Sequence, residues 1–312
     1  MQAERGLRVR LRRIITPATF LAPATFLIAA FFLVPALVTL WMSLTDMSTA
    51  TFSHPNYVGL ANYAKMLKSR WTVKIAQNTV FYVIMVLMFF NVGLAMVLSI
   101  LSTEIPKRVG TIFRVLWLLP RITPVVVYIM IWQYATAPPP AGIITQVAGW
   151  LGLEGKNWLR LYPWVFVILS NGFVGASFGM IIFTSAIESV SKDLLIAAQV
   201  DGATRWQIIR RIKLPLIRWP IMYVLSYQTL SLLTSFQQIQ LLTDGGPGLY
   251  KTEVWALNAY HNALANYWGN VDFGYGSALF VILAIVGGIA AAVYLRVFRF
   301  SEMLAEPRVE EL

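Results

Sequence analysis

Six apolar stretches, each long enough to cross a bilayer as a helix, constrain this chain more than any other feature of its sequence. A helix rises 1.5 Å per residue, so about 20 apolar residues cross the hydrocarbon layer. Five stretches contain no Asp, Glu, Lys or Arg, and the core of the third contains only Arg121. We expect transmembrane helices at residues 16–43, 75–102, 113–136, 161–187, 219–243 and 273–296.

The overall composition excludes the soluble classes of protein. Hydrophobic residues make up 58% of the 312 residues and charged residues 12%, whereas a soluble domain has about 45–50% and 25%. The apolar stretches do not alternate between apolar and polar residues as the strands of a β-barrel do. We therefore predict an all-α, multi-pass integral membrane protein with six transmembrane helices.

The sequence offers no candidate for catalysis or metal binding. It contains no cysteine, and its two histidines, His54 and His261, have no carboxylate or second histidine at metal-ligand spacing. No carboxylate pair or Ser-His-Asp set stands out. The net charge of +11 is assigned to loops that face anionic lipid headgroups, and no nucleic-acid partner is expected.

The distribution of Lys and Arg predicts that both termini lie in the cytoplasm. That topology places 17 of the 25 basic residues on the inner side and 7 on the outer side. It divides the chain into a basic cytoplasmic N-tail (1–15), one transmembrane domain (16–300) and a cytoplasmic C-tail (301–312). The long outer segments are expected to form interfacial helices and loops.

An inner loop at 188–218 is too long and too apolar for a simple connector. Leu194, Leu195, Ala197 and Ala198 predict a short helix with an apolar face. Asp201 is expected to cap the next helix, and Gly202 to adopt a positive φ in the turn. That next helix, with apolar Trp206, Ile209 and Ile212, should end at Leu214-Pro215. An apolar helix outside the bilayer either lies on the membrane or docks against a cytoplasmic protein.

Several motifs in this chain resemble those of one family. The pattern Ala197-Ala198-x-x-Asp201-Gly202-Ala203, with Leu214-Pro215 following, resembles the coupling loop of binding-protein-dependent ABC importer permeases. Further motifs resemble its sugar-permease branch, in the family's order: Tyr57-Val58-Gly59-Leu60-x-Asn62-Tyr63, Asn78-Thr79, Phe113-Arg114, Leu119-Pro120, Pro124, Leu242-Thr243-x-Gly245-Gly246-Pro247 and Gly274-Tyr275-Gly276-Ser277-Ala278. The resemblance covers about residues 17–300 and is to maltose-permease-like inner-membrane subunits.

The resemblance implies a type I ABC importer permease fold and a defined set of partners. These are a second homologous permease in a heterodimer, two cytoplasmic ATPases, an extracytoplasmic solute-binding protein and a sugar-like solute. ATP and magnesium would be bound by the ATPases, and this chain would bind no cofactor. One position departs from the family, because Ile196 stands where the motif glutamate falls. Either the contact with the ATPase is apolar and made by Leu194, Leu195, Ala197 and Ala198, or the ion pairing lies with another residue or subunit.

Two polar stripes predict where a solute would pass. The fourth span carries Asn171, Gly175 and Phe178 on one helical face, and the fifth carries a second stripe at a similar depth: Gln228, Ser231, Ser235 and Gln238. Amides, hydroxyls and an aromatic ring suit a sugar. The resemblance implies the same use, while the residues alone also fit interhelical hydrogen bonds.

Arg121 is unusual because it lies between Pro120 and Pro124 within the third span. It could satisfy carbonyl groups that the prolines leave without donors, or it could face an aqueous pathway or an anionic solute. Asn91 in the second span is interpreted as an interhelical contact.

Two other classes of membrane protein fit the sequence less well. An ion-coupled secondary transporter usually has intramembrane carboxylates, and these spans contain none. An enzyme for lipid-linked sugars would need a catalytic set near the interface, and none is recognisable. The stretch Gly245–Thr252 lacks the glycine that a phosphate-binding loop needs before its Lys.

Overall fold

The structure is a computed structural model that describes residues 19–152, 157–265 and 271–298. The predicted tails at 1–15 and 301–312 lie outside the described residues. Helices dominate the described part, in which no strand occurs. They are, in order, α1 (Thr19–Ser43), α2 (Ala61–Lys68), α3 (Thr72–Glu104), α4 (Lys107–Ile122), α5 (Val125–Ala135), α6 (Ile143–Trp150), α7 (Trp158–Leu161), α8 (Pro163–Glu188), α9 (Lys192–Val200), α10 (205–216), α11 (Arg218–Thr234), α12 (Gln237–Thr243), α13 (Trp255–Ala263) and α14 (Phe273–Val297).

Four of these helices are long and apolar enough to cross a membrane on their own. They are α1, α3, α8 and α14, which have 25 to 33 residues. Where their ends are described, they lie within three residues of the predicted spans. The count of six spans and the cytoplasmic placement of the termini stay predictions.

The predicted third and fifth spans are each divided in the structure. α4 and α5 meet at a bend of 95°, where Thr123 is extended (ψ 134°) and Pro124 follows. A residue before proline avoids the helical region, which explains this break. α11 ends after 17 residues because Ser235 is extended (ψ 121°), and α12 resumes at Gln237.

The described chain forms two compact units. The first comprises residues up to Leu67 together with 259–281. Within it the Asn62 side-chain amide donates hydrogen bonds to the carbonyl oxygens of Ser43 (2.9 Å) and Thr45 (2.8 Å). Lys65 and Asp272 form an ion pair of 2.7 Å at its surface.

The second unit comprises residues 68–258 and the chain from Ile282 onward, and it is built on the contact between α3 and α8. The middle of α3 (Val86–Leu94) is π-helical, and it lies against three glycines of α8: Gly172, Gly175 and Gly179. A Cβ at Gly172 would lie 2.3 Å from the Phe90 ring. Small residues of this kind let transmembrane backbones approach closely. The core beside them is formed by Ala95, Leu98, Ala176, Met180, Phe183 and Val224.

Gly179→Ala tests this packing. Its Cβ would lie 2.3 Å from the Asn91 carbonyl oxygen and 2.7 Å from the Ala95 Cβ, so the two helices would have to separate. We expect the free energy of unfolding to fall by about 1–3 kcal/mol, as it does when a core is overpacked. The measurement is the thermal unfolding midpoint of the purified protein, followed by tryptophan fluorescence.

Gly288→Ala in α14 is the matched control, because nothing lies within 4 Å of a Cβ built there. Alanine has the higher helix propensity, so this midpoint should stay constant or rise. A Gly179→Ala midpoint equal to that of Gly288→Ala would contradict the close contact.

Candidate functional site

A polar cavity of about 130 Å³ lies between α3, α4, α8, α11 and α12. Seven of the eight residues predicted to contact a solute line it, namely Arg121, Asn171, Gly175, Gln228, Ser231, Ser235 and Gln238. The eighth, Phe178, does not line the cavity, and its ring lies under the Arg121 guanidinium. The structure therefore brings the predicted residues together.

Hydrogen bonds fix the buried amides of this cavity. The Asn171 Nδ2 donates to the Tyr82 hydroxyl at 2.5 Å, and the Gln228 Nε2 donates to the Gly175 carbonyl oxygen at 3.2 Å. Both amide side chains are buried. Each amide oxygen can still accept a hydrogen bond from a second partner. The two amide groups are thus held in fixed orientations in the wall of the cavity.

The polar residues of the fifth span meet through a break in the helix rather than along one continuous face. Gln228 and Ser231 belong to α11, Ser235 lies in the extended joint, and Gln238 belongs to α12. The Ser235 hydroxyl donates to the Gln238 Oε1 at 2.9 Å across the joint. The assumption of a continuous helical stripe was wrong, although all four residues do line the cavity.

Arg121 occupies the last turn of α4, and its guanidinium carbon lies 5.3 Å from the centre of the Phe178 ring. The structure shows no hydrogen bond from Arg121 to a carbonyl group in the described part of the chain. Of the two interpretations of this residue, the cavity-facing one agrees with the structure.

Asn91 lines the same cavity, a role that the sequence interpretation missed. It is 1% exposed, and its Oδ1 has no hydrogen-bond partner among the described residues. It faces α8 at Gly175, where a Cβ would lie 2.2 Å from that oxygen. A single asparagine within an apolar stretch was the signal that could have found this residue. The side that Asn91 faces depends on the π-helical backbone around it, which the sequence pattern does not show.

Two tyrosines beside the cavity were also missed by the sequence interpretation. Tyr227 stacks on Phe178 with ring centres 4.9 Å apart, and Tyr223 stacks on Tyr227 at 6.1 Å. Both tyrosines remain about half exposed. Their i, i+4 spacing in α11 was the signal that could have found them. The three rings form an aromatic surface next to the polar cavity.

The segment at 188–218 contains the predicted short helix, turn and second helix. Gly202 has φ +79°, as predicted, and donates to the Gln199 carbonyl oxygen. The Ala203 N–H donates to the Ala198 carbonyl oxygen at 2.9 Å. This pair of hydrogen bonds is a Schellman motif, which ends α9 and fixes the direction of the chain. The Ala-Ala-x-x-Asp-Gly-Ala pattern therefore encodes a rigid turn.

The second helix of this segment differs from the prediction at its start. Thr204, not Asp201, is its N-cap, and a reciprocal capping box joins Thr204 to Gln207. Asp201 instead closes the preceding helix, with its N–H donating to the Ala197 carbonyl oxygen. The helix ends at Leu216, one residue after Pro215.

The apolar side chains of this segment are largely exposed. Val200 is 81% exposed and Trp206 65%, while Leu194 and Ile196 are about half exposed. Leu195 and Ala198 are half-buried, and Ala197 is exposed. A contiguous apolar surface of this kind marks an interaction site. We call α9 together with α10 the coupling segment.

One ion pair attaches the coupling segment to a neighbouring helix. The Lys213 ammonium, which is 7% exposed, contacts the Glu104 carboxylate at the end of α3 at 2.5 Å. A second ion pair lies just before the segment, where the Arg114 guanidinium of α4 contacts the Glu188 carboxylate at the end of α8 at 2.8 Å. The C-terminal part of the segment is thereby held against α3, and the helix that leads into the segment is held against α4.

Comparison with known proteins identifies the family. The sequence pattern of the family described as "Binding-protein-dependent transport system inner membrane component" matches residues 92–302, more than half of the chain. The protein belongs to this family. It is thus a component of an inner-membrane transport system and not an enzyme.

Individual relatives agree with this assignment. The permease is 27% identical over 274 residues to the sulfoquinovosyl glycerol transport system permease protein SmoG of Agrobacterium fabrum, covering 86% of this chain and 85% of SmoG. It is 27% identical over 272 residues to the trehalose/maltose transport system permease protein MalF of Thermococcus litoralis, covering 85% and 88%.

A solved structure shares the fold of this permease. It is a chain of a bacterial ABC transporter involved in the import of the acidic polysaccharide alginate, with a TM-score of 0.80 and 23% identity over 94% of this chain and 98% of that one. The predicted type I importer permease fold is confirmed.

Lys213→Met tests how the permease holds its coupling segment. The change leaves the Glu104 carboxylate without its partner. Because that carboxylate is about a third exposed, water compensates for part of the loss, and we expect the attachment of the segment to weaken by about 1–3 kcal/mol. The end of the segment should open more often, and chymotryptic cleavage after Trp206 should accelerate about tenfold.

Lys192→Met is the control for that experiment, since Lys192 is an exposed residue of the same segment. Its cleavage rate should match that of the unmodified protein. Equal rates for the two variants would show that the buried ion pair does not hold the segment.

Proposed function

We propose that this permease forms half of the translocation pathway of an ATP-driven importer for a sugar or sugar-like solute. The observation that carries the proposal is the polar cavity, where amide and hydroxyl groups from α3, α8, α11 and α12 and the joint at Ser235 meet the guanidinium of α4 within apolar helices. Polar groups within a membrane-spanning domain cost free energy and usually mark a functional site. A passing solute with many hydroxyl groups would use them.

The chemistry of the cavity favours a sugar. Amide oxygens and nitrogens of Asn91, Asn171 and Gln228 match the donors and acceptors of hydroxyl groups. The aromatic surface of Phe178, Tyr223 and Tyr227 offers rings for the C–H faces of a pyranose. The names of the relatives support this class, since they specify sulfoquinovosyl glycerol, trehalose and maltose for those proteins.

The size of the cavity supports a pathway shared by two chains. Pockets that enclose a small ligand usually measure about 300–1,000 Å³, and this one measures about 130 Å³. A second homologous permease, most simply a different chain in a heterodimer, would supply the opposite wall. An extracytoplasmic binding protein would deliver the solute, as the name of the family implies.

The coupling segment would dock against a cytoplasmic ATPase. Its exposed apolar side chains need a partner, and Ile196 adds to that surface in place of the family's glutamate. The contact would comprise Leu194, Leu195, Ala197 and Ala198 on the helix, Asp201, Gly202 and Ala203 in the turn, and Leu214 and Pro215 beyond it. In this arrangement two ATPases bind ATP and magnesium, this chain binds no cofactor, and both termini are cytoplasmic.

The coupling segment has the rigidity that transmission requires. The Schellman turn fixes the angle after α9, and the ion pair of Lys213 with Glu104 joins α10 to α3. The ion pair of Arg114 with Glu188 joins α4 to α8, the helix that leads into the segment. Closure of the ATPases would therefore move these helices as bodies, including the helices that line the cavity. This is a rigid-body mechanism of switching.

Gln238→Leu tests the pathway. The change removes a polar group that lines the cavity while keeping the size of the side chain. In the reconstituted transporter with its binding protein, ATP hydrolysis stimulated by the solute should fall about tenfold, while basal hydrolysis should stay constant. The ratio of stimulated to basal hydrolysis is the quantity to measure.

Gln237→Leu is the control, because this neighbouring glutamine is exposed and does not line the cavity. Its ratio should equal that of the unmodified transporter. If Gln238→Leu lowers stimulated and basal hydrolysis equally, the residue has a structural role and the pathway assignment is wrong.

Val200→Asp tests the docking of the ATPase. Val200 belongs to the exposed apolar surface of the coupling segment. A carboxylate there must be desolvated without a partner when an ATPase docks, so the amount of ATPase that copurifies should fall at least tenfold. Gln199→Asp places the same charge on the adjacent exposed position and should leave copurification intact. Equal retention in both variants would indicate that the coupling segment lies on the membrane.

A further inference from the structure

The cavity contains a positive charge that the described residues of this chain do not neutralise. The charge is the guanidinium of Arg121. It lines the cavity, yet none of the described residues forms an ion pair or a hydrogen bond with it. The guanidinium lies over the Phe178 ring, with its carbon atom 5.3 Å from the ring centre. A charge in this position is expensive unless an anion or water compensates for it.

No acidic side chain in the described part of the chain forms an ion pair with Arg121. The apolar stretches that form the spans contain no Asp or Glu. Two glutamates lie at the ends of helices in the same unit, and both are engaged elsewhere: Glu104 with Lys213, and Glu188 with Arg114. The described residues therefore supply no negative partner for this cation.

The geometry leaves the donors of Arg121 available to such a partner. A cation–π contact requires none of the five N–H groups of the guanidinium. These groups suit the paired oxygen atoms of a carboxylate, a sulfonate or a phosphate, which they bind in a bidentate manner. The Phe178 ring, itself stacked on Tyr227, holds the cation in place.

A second and independent feature indicates that the cavity is built for a ligand. Asn91 is 1% exposed, and its Oδ1 has no partner in the described part of the chain. A buried acceptor without a donor costs free energy. A rotation of the Asn91 amide away from Gly175 would turn this oxygen toward the cavity, where a sugar hydroxyl group would supply the missing donor while Arg121 bound an acidic group of the same molecule.

We propose that this permease transports an acidic sugar derivative, whose carboxylate, sulfonate or phosphate group binds to Arg121 and whose hydroxyl group donates to Asn91. The inference rests on the proposed function and narrows its substrate class. Neutral sugars would then enter the cavity with lower affinity, because they leave the arginine uncompensated.

The test uses the complete transporter in lipid nanodiscs and matched pairs of probes. Glucosyl glycerol and sulfoquinovosyl glycerol differ by a sulfonate group. Cellobiose and cellobiouronate differ by a carboxylate group, and glucose and glucose 6-phosphate by a phosphate group. Equilibrium binding is measured by calorimetry for the unmodified protein and for Arg121→Gln and Arg121→Lys.

We expect the acidic member of at least one pair to bind at least tenfold more tightly than its neutral counterpart. Arg121→Gln should abolish that preference by lowering the affinity for the acidic member at least tenfold, while Arg121→Lys should retain part of it. Arg218→Gln is the control, because Arg218 also rests on an aromatic ring, that of Trp219, but does not line the cavity. It should keep the full preference.

A second measurement covers the case in which Arg121→Gln does not assemble. Raising the salt concentration of the unmodified transporter from 50 to 500 mM should weaken binding of the acidic probe and not of the neutral one, because salt screens the charge. Equal affinities within all three pairs, or a preference that survives Arg121→Gln, would overturn the proposal. Such a result is also expected if a carboxylate of the second permease neutralises Arg121.

The same preparation separates this inference from the function on which it rests. If a neutral sugar with its binding protein stimulates ATP hydrolysis while acidic probes have no advantage, the importer stands and the acidic substrate is wrong. If no sugar of either kind stimulates hydrolysis, the proposed function itself fails.

Discussion

The close contact between α3 and α8 is the interaction on which the rest of the second unit depends. Lipid offers no hydrophobic driving force between helices, so their association relies on tight packing of small residues. Gly172, Gly175 and Gly179 provide that packing against the π-helical part of α3. The contact places Asn91 beside the cavity, and α3 leads to Glu104, where Lys213 of the coupling segment is attached. One packed pair of helices thus connects the polar cavity to the surface that is proposed to dock an ATPase.

Breaks in two helices create the polar environment that straight spans would not. Irregular backbone at membrane depth is tolerated where it lines a cavity, because its polar groups then have partners. The joint at Ser235 lines the cavity, and α4 presents Arg121 to it just before the joint at Thr123. The break at Ser235 also leaves α11, with 17 residues, too short to be an obvious span. The proposed binding site and an irregularity of the fold are therefore one feature.

The sequence predicted the parts of this structure that depend on local pattern. The length of the apolar stretches correctly located α3, α8 and α14. The polar residues of the fourth and fifth spans meet at the cavity, as predicted. The break at Ser235 has no proline or glycine to mark it, so periodicity extended the helix through it. The capping box of Thr204 and Gln207 was readable as Thr-x-x-Gln but was passed over in favour of Asp201. Lys213 and Glu104 are 109 residues apart, and no local pattern could pair them.

In the proposed function, the coupling segment transmits the motion of the ATPases to the permease. A direct measurement is possible because the sequence contains no cysteine. A single cysteine introduced at Ala197 would be the only thiol of the chain, and a short bifunctional reagent would join it to any protein docked there. The account predicts a crosslink to a Walker-motif ATPase, in a yield that changes when ATP is added. A crosslink to lipid alone, with no ATPase captured while the rest of the complex remains intact, would contradict it.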